Sequence, residues 1–176
     1  MRPLRMLSLG LQTRPLVLAA SIVLVAGVAI LAGAWGLQTF ADVVPCPLCL
    51  QQRQVHYVGL PLTAVALIWL LTAGSAGVAR ILLALAALLF LGGAALAAYH
   101  AGVEWHWWAG PSSCITGAGA PQSAAGLLEQ MQRTRVVPCD EVTWSLFGLS
   151  LAGYNALISL AMAALLGWAL SASRRA

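Results

Sequence analysis

Four cysteines and one arginine are the residues whose types and spacing can do chemistry. Cys46 and Cys49 stand in Pro45-Cys46-Pro47-Leu48-Cys49, Arg53 follows four residues after the second cysteine, and Cys114 and Cys139 come much later in the chain. A disulfide across Cys-x-x-Cys closes so small a ring that it constrains almost nothing, which points to redox or metal chemistry rather than stapling. Cys114 and Cys139 also suit a staple, because closing a loop of that length would add roughly 3 kcal/mol in the chain-entropy model. A structural zinc site needs four Cys or His ligands, usually in two close pairs. Only one close pair exists here, with His100 and His106 as the available extra donors, so no metal is expected.

The elements that position these residues follow from composition. Of 176 residues, 61% are hydrophobic and 8% charged, with mean hydropathy +0.88. A soluble domain carries roughly a quarter charged residues, and one of this size cannot hide so much apolar surface. Disorder, a secreted disulfide knot and a nucleic-acid-binding module are excluded. Uncharged stretches over about 15–37, 55–73, 81–99 and 146–170 are each long enough to span a bilayer as a helix and are apolar on every face. They predict one all-α domain over 1–176, a polytopic four-transmembrane-helix bundle. Gly93 with Ala97, and Gly148 with Ala152, have the spacing that lets membrane helices approach closely. Arg2 and Arg5 give the first span a basic start like that of a signal peptide, but its apolar run is too long for one, so a retained helix is expected. No strongly polar residue is expected deep in the spans, which counts against a transport path.

Charge orients the bundle. Arg2, Arg5, Arg14, Arg80, Arg174 and Arg175 fall on one side, while Asp42, Glu104, Glu129, Asp140 and Glu141 fall on the other with Arg53, Arg133 and Arg135. By the positive-inside rule both termini face the cytoplasm. The loops at about 38–54 and 100–145 then lie outside and hold all four cysteines, in a compartment where two disulfides can form. Within the longer loop, Ala124, Leu127, Leu128 and Met131 recur at helical spacing among polar residues, predicting a short amphipathic interfacial helix. Trp105, Trp107 and Trp108 are expected at the membrane interface.

Cys49 immediately precedes the second span. Near the first turn of that helix, free N–H groups and the positive end of the dipole favour a thiolate. Arg53, on the same face one turn later, places a permanent cation beside the sulfur at the membrane boundary. An activated thiol at a lipid-accessible surface suggests a lipid-soluble oxidant.

These features, together with Pro138-Cys139 followed by Trp144-Ser145-Leu146-Phe147-Gly148-Leu149-Ser150 and Asn155, resemble the DsbB family of bacterial disulfide bond formation proteins over nearly the whole chain. The resemblance implies a quinone-dependent thiol oxidase of the inner membrane with two redox-active disulfides. Cys114–Cys139 would accept electrons from periplasmic DsbA, with Cys114 forming the mixed disulfide. Cys46–Cys49 would reoxidise that pair, and Cys49 with Arg53 would face ubiquinone or menaquinone. It also implies a loop motion that brings the two pairs together. Leu151 and Tyr154 lie where family members contribute further quinone contacts, and His100 and His106 are expected as loop or interface histidines.

Overall fold

The computed structural model of the protein describes residues 2–72, 75–112, 114, 138–142 and 144–175, with side chains from Thr13 onward. Its helices are α1 (Arg2–Phe40), α2 (Pro47–Thr72), α3 (Ala76–Glu104) and α4 (Leu151–Arg175). All four are long and apolar enough to cross a membrane. At 1.5 Å per residue, even α4 is about 37 Å long, more than the roughly 30 Å of a hydrocarbon core. The four-helix membrane fold expected from composition is therefore present.

The helix bounds differ from those expectations in ways that matter for the cysteines. α2 begins at Pro47, whose fixed φ and missing N–H suit a first helical position. Cys49 and Arg53 therefore lie within the helix rather than in the loop before it. α3 runs on to Glu104, so His100 is also helical. The fourth helix starts at Leu151 rather than near 146. The residues before it form a two-stranded antiparallel hairpin, β1 (Ser145–Leu146) with β2 (Leu149–Ser150), in which Ser145 pairs with Ser150 and Leu146 with Leu149. Its two turn residues, Phe147 and Gly148, have φ of 49° and 79°, the double left-handed conformation of a tight hairpin turn. A short apolar run does not by itself separate strand from helix, which is why the span was expected to start early. Gly148 consequently belongs to the turn and does not form a helix-packing pair with Ala152.

Small residues bring the helices together. A Cβ on Gly93 would lie 2.8 Å from Val55 Cγ1, and one on Gly59 would lie 2.8 Å from Phe90 Cζ, so α2 and α3 meet at two points that only glycine permits. Leu16 and Val23 of α1, Leu60 of α2, Leu83 and Phe90 of α3 and Leu166 of α4 belong to one buried cluster. Leu18, Val25, Leu71, Ile81 and Leu88 are exposed, as lipid-facing positions must be. At the end away from the cysteines, Arg80 donates to Ser173 Oγ at 3.1 Å and to the Ser173 carbonyl at 2.5 Å. That contact sets a cation at the carboxyl end of α4.

Polar side chains are nonetheless buried inside the bundle. Gln52, His56, Thr63 and Ser159 are buried within α2 and α4. These polar groups are tolerated because most bond to one another or to the helix backbone, as Thr63 Oγ1 does to the Gly59 carbonyl at 2.8 Å. The predicted interfacial helix around 124–131 lies outside the described residues.

Candidate functional site

The cysteines gather at one end of the bundle. Cys46, Leu48, Val103, Cys114 and Cys139 form a second buried cluster, with Cys49 packed against it. Cys46 is 4% exposed, Cys114 4% and Cys139 1%. Cys114 and Cys139 are joined by a disulfide with a Cα–Cα distance of 5.4 Å. Cys46 and Cys49 are free thiols, so the pair stands in its reduced form where the resemblance implied a disulfide. Cys46 occupies the capping position of α2, and its Sγ accepts the N–H of Cys49 at 3.1 Å, the role a serine or aspartate oxygen usually plays. The Cys46 thiol is pushed well above the usual cysteine range, first by its hydrogen bond with Cys49 and then by burial, with the Glu104 charge adding to both.

The two pairs lie close together. Cys46 Sγ, Cys139 Sγ and His100 Nε2 all lie within 4.8 Å of one another. Only a short movement separates Cys46 from Cys139 at bonding distance. A metal would need Cys139 as a thiolate, and its sulfur is held in a disulfide here. The trio therefore has the arrangement of thiol–disulfide exchange, in which one sulfur attacks another at close range.

A hydrogen-bonded chain fixes His100. Asn155 Nδ2 donates to Gln52 Oε1 at 2.6 Å, leaving Gln52 Nε2 to donate to His100 Nδ1 at 2.8 Å. With Nδ1 accepting, the neutral ring carries its proton on Nε2, which lies 3.6 Å from Cys46 Sγ. The same ring meets the Cys139 backbone. With its N–H given to the Cys139 backbone, His100 lies beside the two sulfurs that would exchange. Ser159 extends the chain, donating to Asn155 Oδ1 at 3.3 Å.

Beside the sulfurs, a cavity of about 280 Å³ opens between α1, α2 and α4. Ile30, Leu31, Leu37 and Ile158 supply apolar wall, and Cys49, Gln52, Arg53 and His56 line it along one face of α2 at the i, i+3, i+4, i+7 spacing of a helix. The hydrogen bonds of Arg53 run to α1. Its guanidinium donates to Gln38 Oε1 at 2.7 Å and to the Ala34 carbonyl at 3.1 Å, and sits 5.6 Å from the Trp35 ring centroid. It therefore closes α1 over the cavity. Leu151 and Tyr154 also line the cavity, but the Tyr154 hydroxyl is bound to the Leu146 carbonyl of the hairpin at 3.0 Å. Glu104 is buried at the outer rim and accepts the Ser150 hydroxyl, while Ser150 Oγ caps α4 by accepting the Gly153 N–H at 3.1 Å.

His106 takes no part in this cavity. It lines a second one, of about 610 Å³, on the side of the Cys114–Cys139 disulfide, with Trp108 and Asp140. Trp108 folds back over Gly102, donating its indole N–H to the Tyr99 carbonyl at 2.9 Å and stacking on the Tyr99 ring, while Trp107 stays exposed. Sequence reasoning missed Gln52, His56, the contacts of Asn155 and Glu104, and the placement of His100. The signal available was the helical spacing from Cys49 to Gln52 and His56, obscured while the span was drawn from residue 55.

Residues 16–169 match the family profile described as disulfide bond formation protein DsbB. The chain is 34% identical over 168 residues to disulfide bond formation protein B of Verminephrobacter eiseniae, covering 88% of each chain. It is 41% identical over 96 residues to the protein of the same name from Herminiimonas arsenicoxydans, covering 54% of this chain and 55% of that one. No solved structure matches it.

Proposed function

The chain belongs to the DsbB family of disulfide bond formation proteins, and from that membership we propose that it oxidises a periplasmic DsbA-like thiol protein and passes the electrons to ubiquinone or menaquinone. Membership and the four spanning helices make it a multi-pass membrane thiol oxidoreductase. The finer reading adds the partner, the acceptor and the residues. Its site is the bacterial inner membrane, with both termini cytoplasmic and both cysteine loops periplasmic.

A thiolate of the reduced partner attacks Cys114, releasing Cys139, and the partner's second thiol resolves the mixed disulfide, leaving Cys114 and Cys139 reduced. Cys139 then attacks Cys46 of an oxidised Cys46–Cys49 pair, and Cys49 leaves toward the cavity. His100, beside both sulfurs, aligns this exchange and supports the charge that moves across it. Resolution by Cys114 restores Cys114–Cys139 and leaves Cys46 and Cys49 as thiols. Cys49, Arg53 and His56 would hold the quinone, which would supply the oxidising power by accepting two electrons and two protons as the Cys46–Cys49 disulfide re-forms. The observation that carries the reading is the position of the α2 pair: Cys46 is within 4.8 Å of the Cys139 sulfur, while Cys49 lines the apolar cavity.

The cavity suits such an acceptor in chemistry, with aliphatic walls for a ring and tail and polar groups from Cys49, Arg53 and His56 at discrete points. The test uses detergent-purified protein with reduced DsbA and a short-chain ubiquinone. Quinone loss should match DsbA oxidation, and Cys49→Ser should abolish quinone loss. Normal turnover by Cys49→Ser protein overturns the mechanism.

A further inference from the structure

His56 is the buried polar residue that the relay leaves unused. It lies on the cavity face of α2, seven residues after Cys49, about 10 Å deeper at 1.5 Å per residue. It is 2% exposed, and its Nε2 has no hydrogen-bond partner among the described residues. Such a buried orphan calls for an explanation.

The partner of the other ring nitrogen decides what Nε2 can bind. His56 Nδ1 lies 3.2 Å from the Gln52 carbonyl oxygen, which only accepts, so Nδ1 carries the proton. In the neutral ring Nε2 is then a bare lone pair. The ring is held in place by Phe90, edge-on at a centroid distance of 5.7 Å, and Phe90 fits there because residue 59 is glycine.

We propose that His56 Nε2 is the hydrogen-bond acceptor for a quinol hydroxyl, so that this site distinguishes the reduced ring from the oxidised one. The inference rests on the quinone reading of the cavity. A quinone oxygen brings only lone pairs and finds no donor at His56. Once two electrons and two protons have passed from the thiols, each ring oxygen carries a hydrogen, and the deeper hydroxyl can donate to Nε2. His56 neither gains nor loses a proton in this step. Its contribution is differential binding, which favours electron flow from sulfur to ring. The same contact would hold back product release.

The test is equilibrium binding of decylubiquinone to fully oxidised, and of decylubiquinol to fully reduced, full-length protein, redox-matched pairs between which no electrons pass. His56→Leu should lower quinol affinity about fivefold or more, the value of one buried hydrogen bond, while changing quinone affinity less than about twofold. His56→Gln, which keeps an acceptor oxygen, should recover part of the quinol preference. Equal losses for the two ring forms, or undiminished quinol affinity in a folded His56→Leu protein, overturn the role of His56 and leave the quinone reading standing. Failure of the parent protein itself to bind either form overturns both.

Discussion

His100 shows how a single side chain joins two functions that the sequence presents separately. Its Nδ1 is held by Gln52 and its Nε2 faces Cys46 beside Cys139, so replacing it should slow exchange between the pairs while leaving the Arg53 contacts to α1 in place. We expect His100→Leu to reduce the rate at which a reduced Cys114–Cys139 pair reduces Cys46–Cys49 by about tenfold, the cost of one charge-supporting hydrogen bond. Acid-quenched alkylation and mass analysis of the intermediates measures this. Arg53→Ala should separate the other way, raising the KM for quinone by roughly tenfold or more while disulfide exchange with DsbA changes little; the reverse ranking removes Arg53 from the acceptor site. The cysteines and Arg53 were legible because their spacing is a chemical signature. His100, Gln52 and Asn155 were not, since their meaning comes from contacts between residues 48 and 103 positions apart.

At the scale of the element, the informative failure was the start of the fourth helix. Leu146 to Leu149 looked like more of the same apolar run, yet a left-handed pair at Phe147 and Gly148 turns it into a hairpin. Ser150 ends that hairpin and caps α4, and it also satisfies the buried carboxyl of Glu104 on α3. One hydroxyl therefore serves two elements. Ser150→Ala should cost about 1–3 kcal/mol, combining a lost cap with an orphaned carboxyl, and should lower the midpoint of unfolding in detergent. The early start of α2 was the second boundary missed. Pro47 and the sulfur of Cys46 together open that helix, and neither is the serine or aspartate that normally advertises a cap. The spans themselves were easy to see, because twenty or more uncharged residues have few other destinations.

For the whole molecule, arginine placement predicts orientation. The short connection before α3 should face the cytoplasm, so a cysteine introduced by Ser75→Cys should react with a membrane-impermeant maleimide only after cells are opened. Labelling in intact cells would invert the proposed topology. If the partner is DsbA-like, as proposed, the direction of electron flow would follow from the acceptor, since DsbA is poised near −120 mV and each 30 mV corresponds to about 1.4 kcal/mol for two electrons. An oxidant renewed by the membrane chain would then keep such a partner oxidised.

A conductor that joins a strongly oxidising donor pair to a lipid-soluble sink must also be insulated. Cys46, Cys114 and Cys139 are all within a few per cent of complete burial, and Cys49 opens toward the apolar cavity. On the proposed reading, this burial shields the relay from small water-soluble thiols. Cys114 is just as buried from a protein partner, so on that reading docking uncovers the sulfur and recognition completes the circuit.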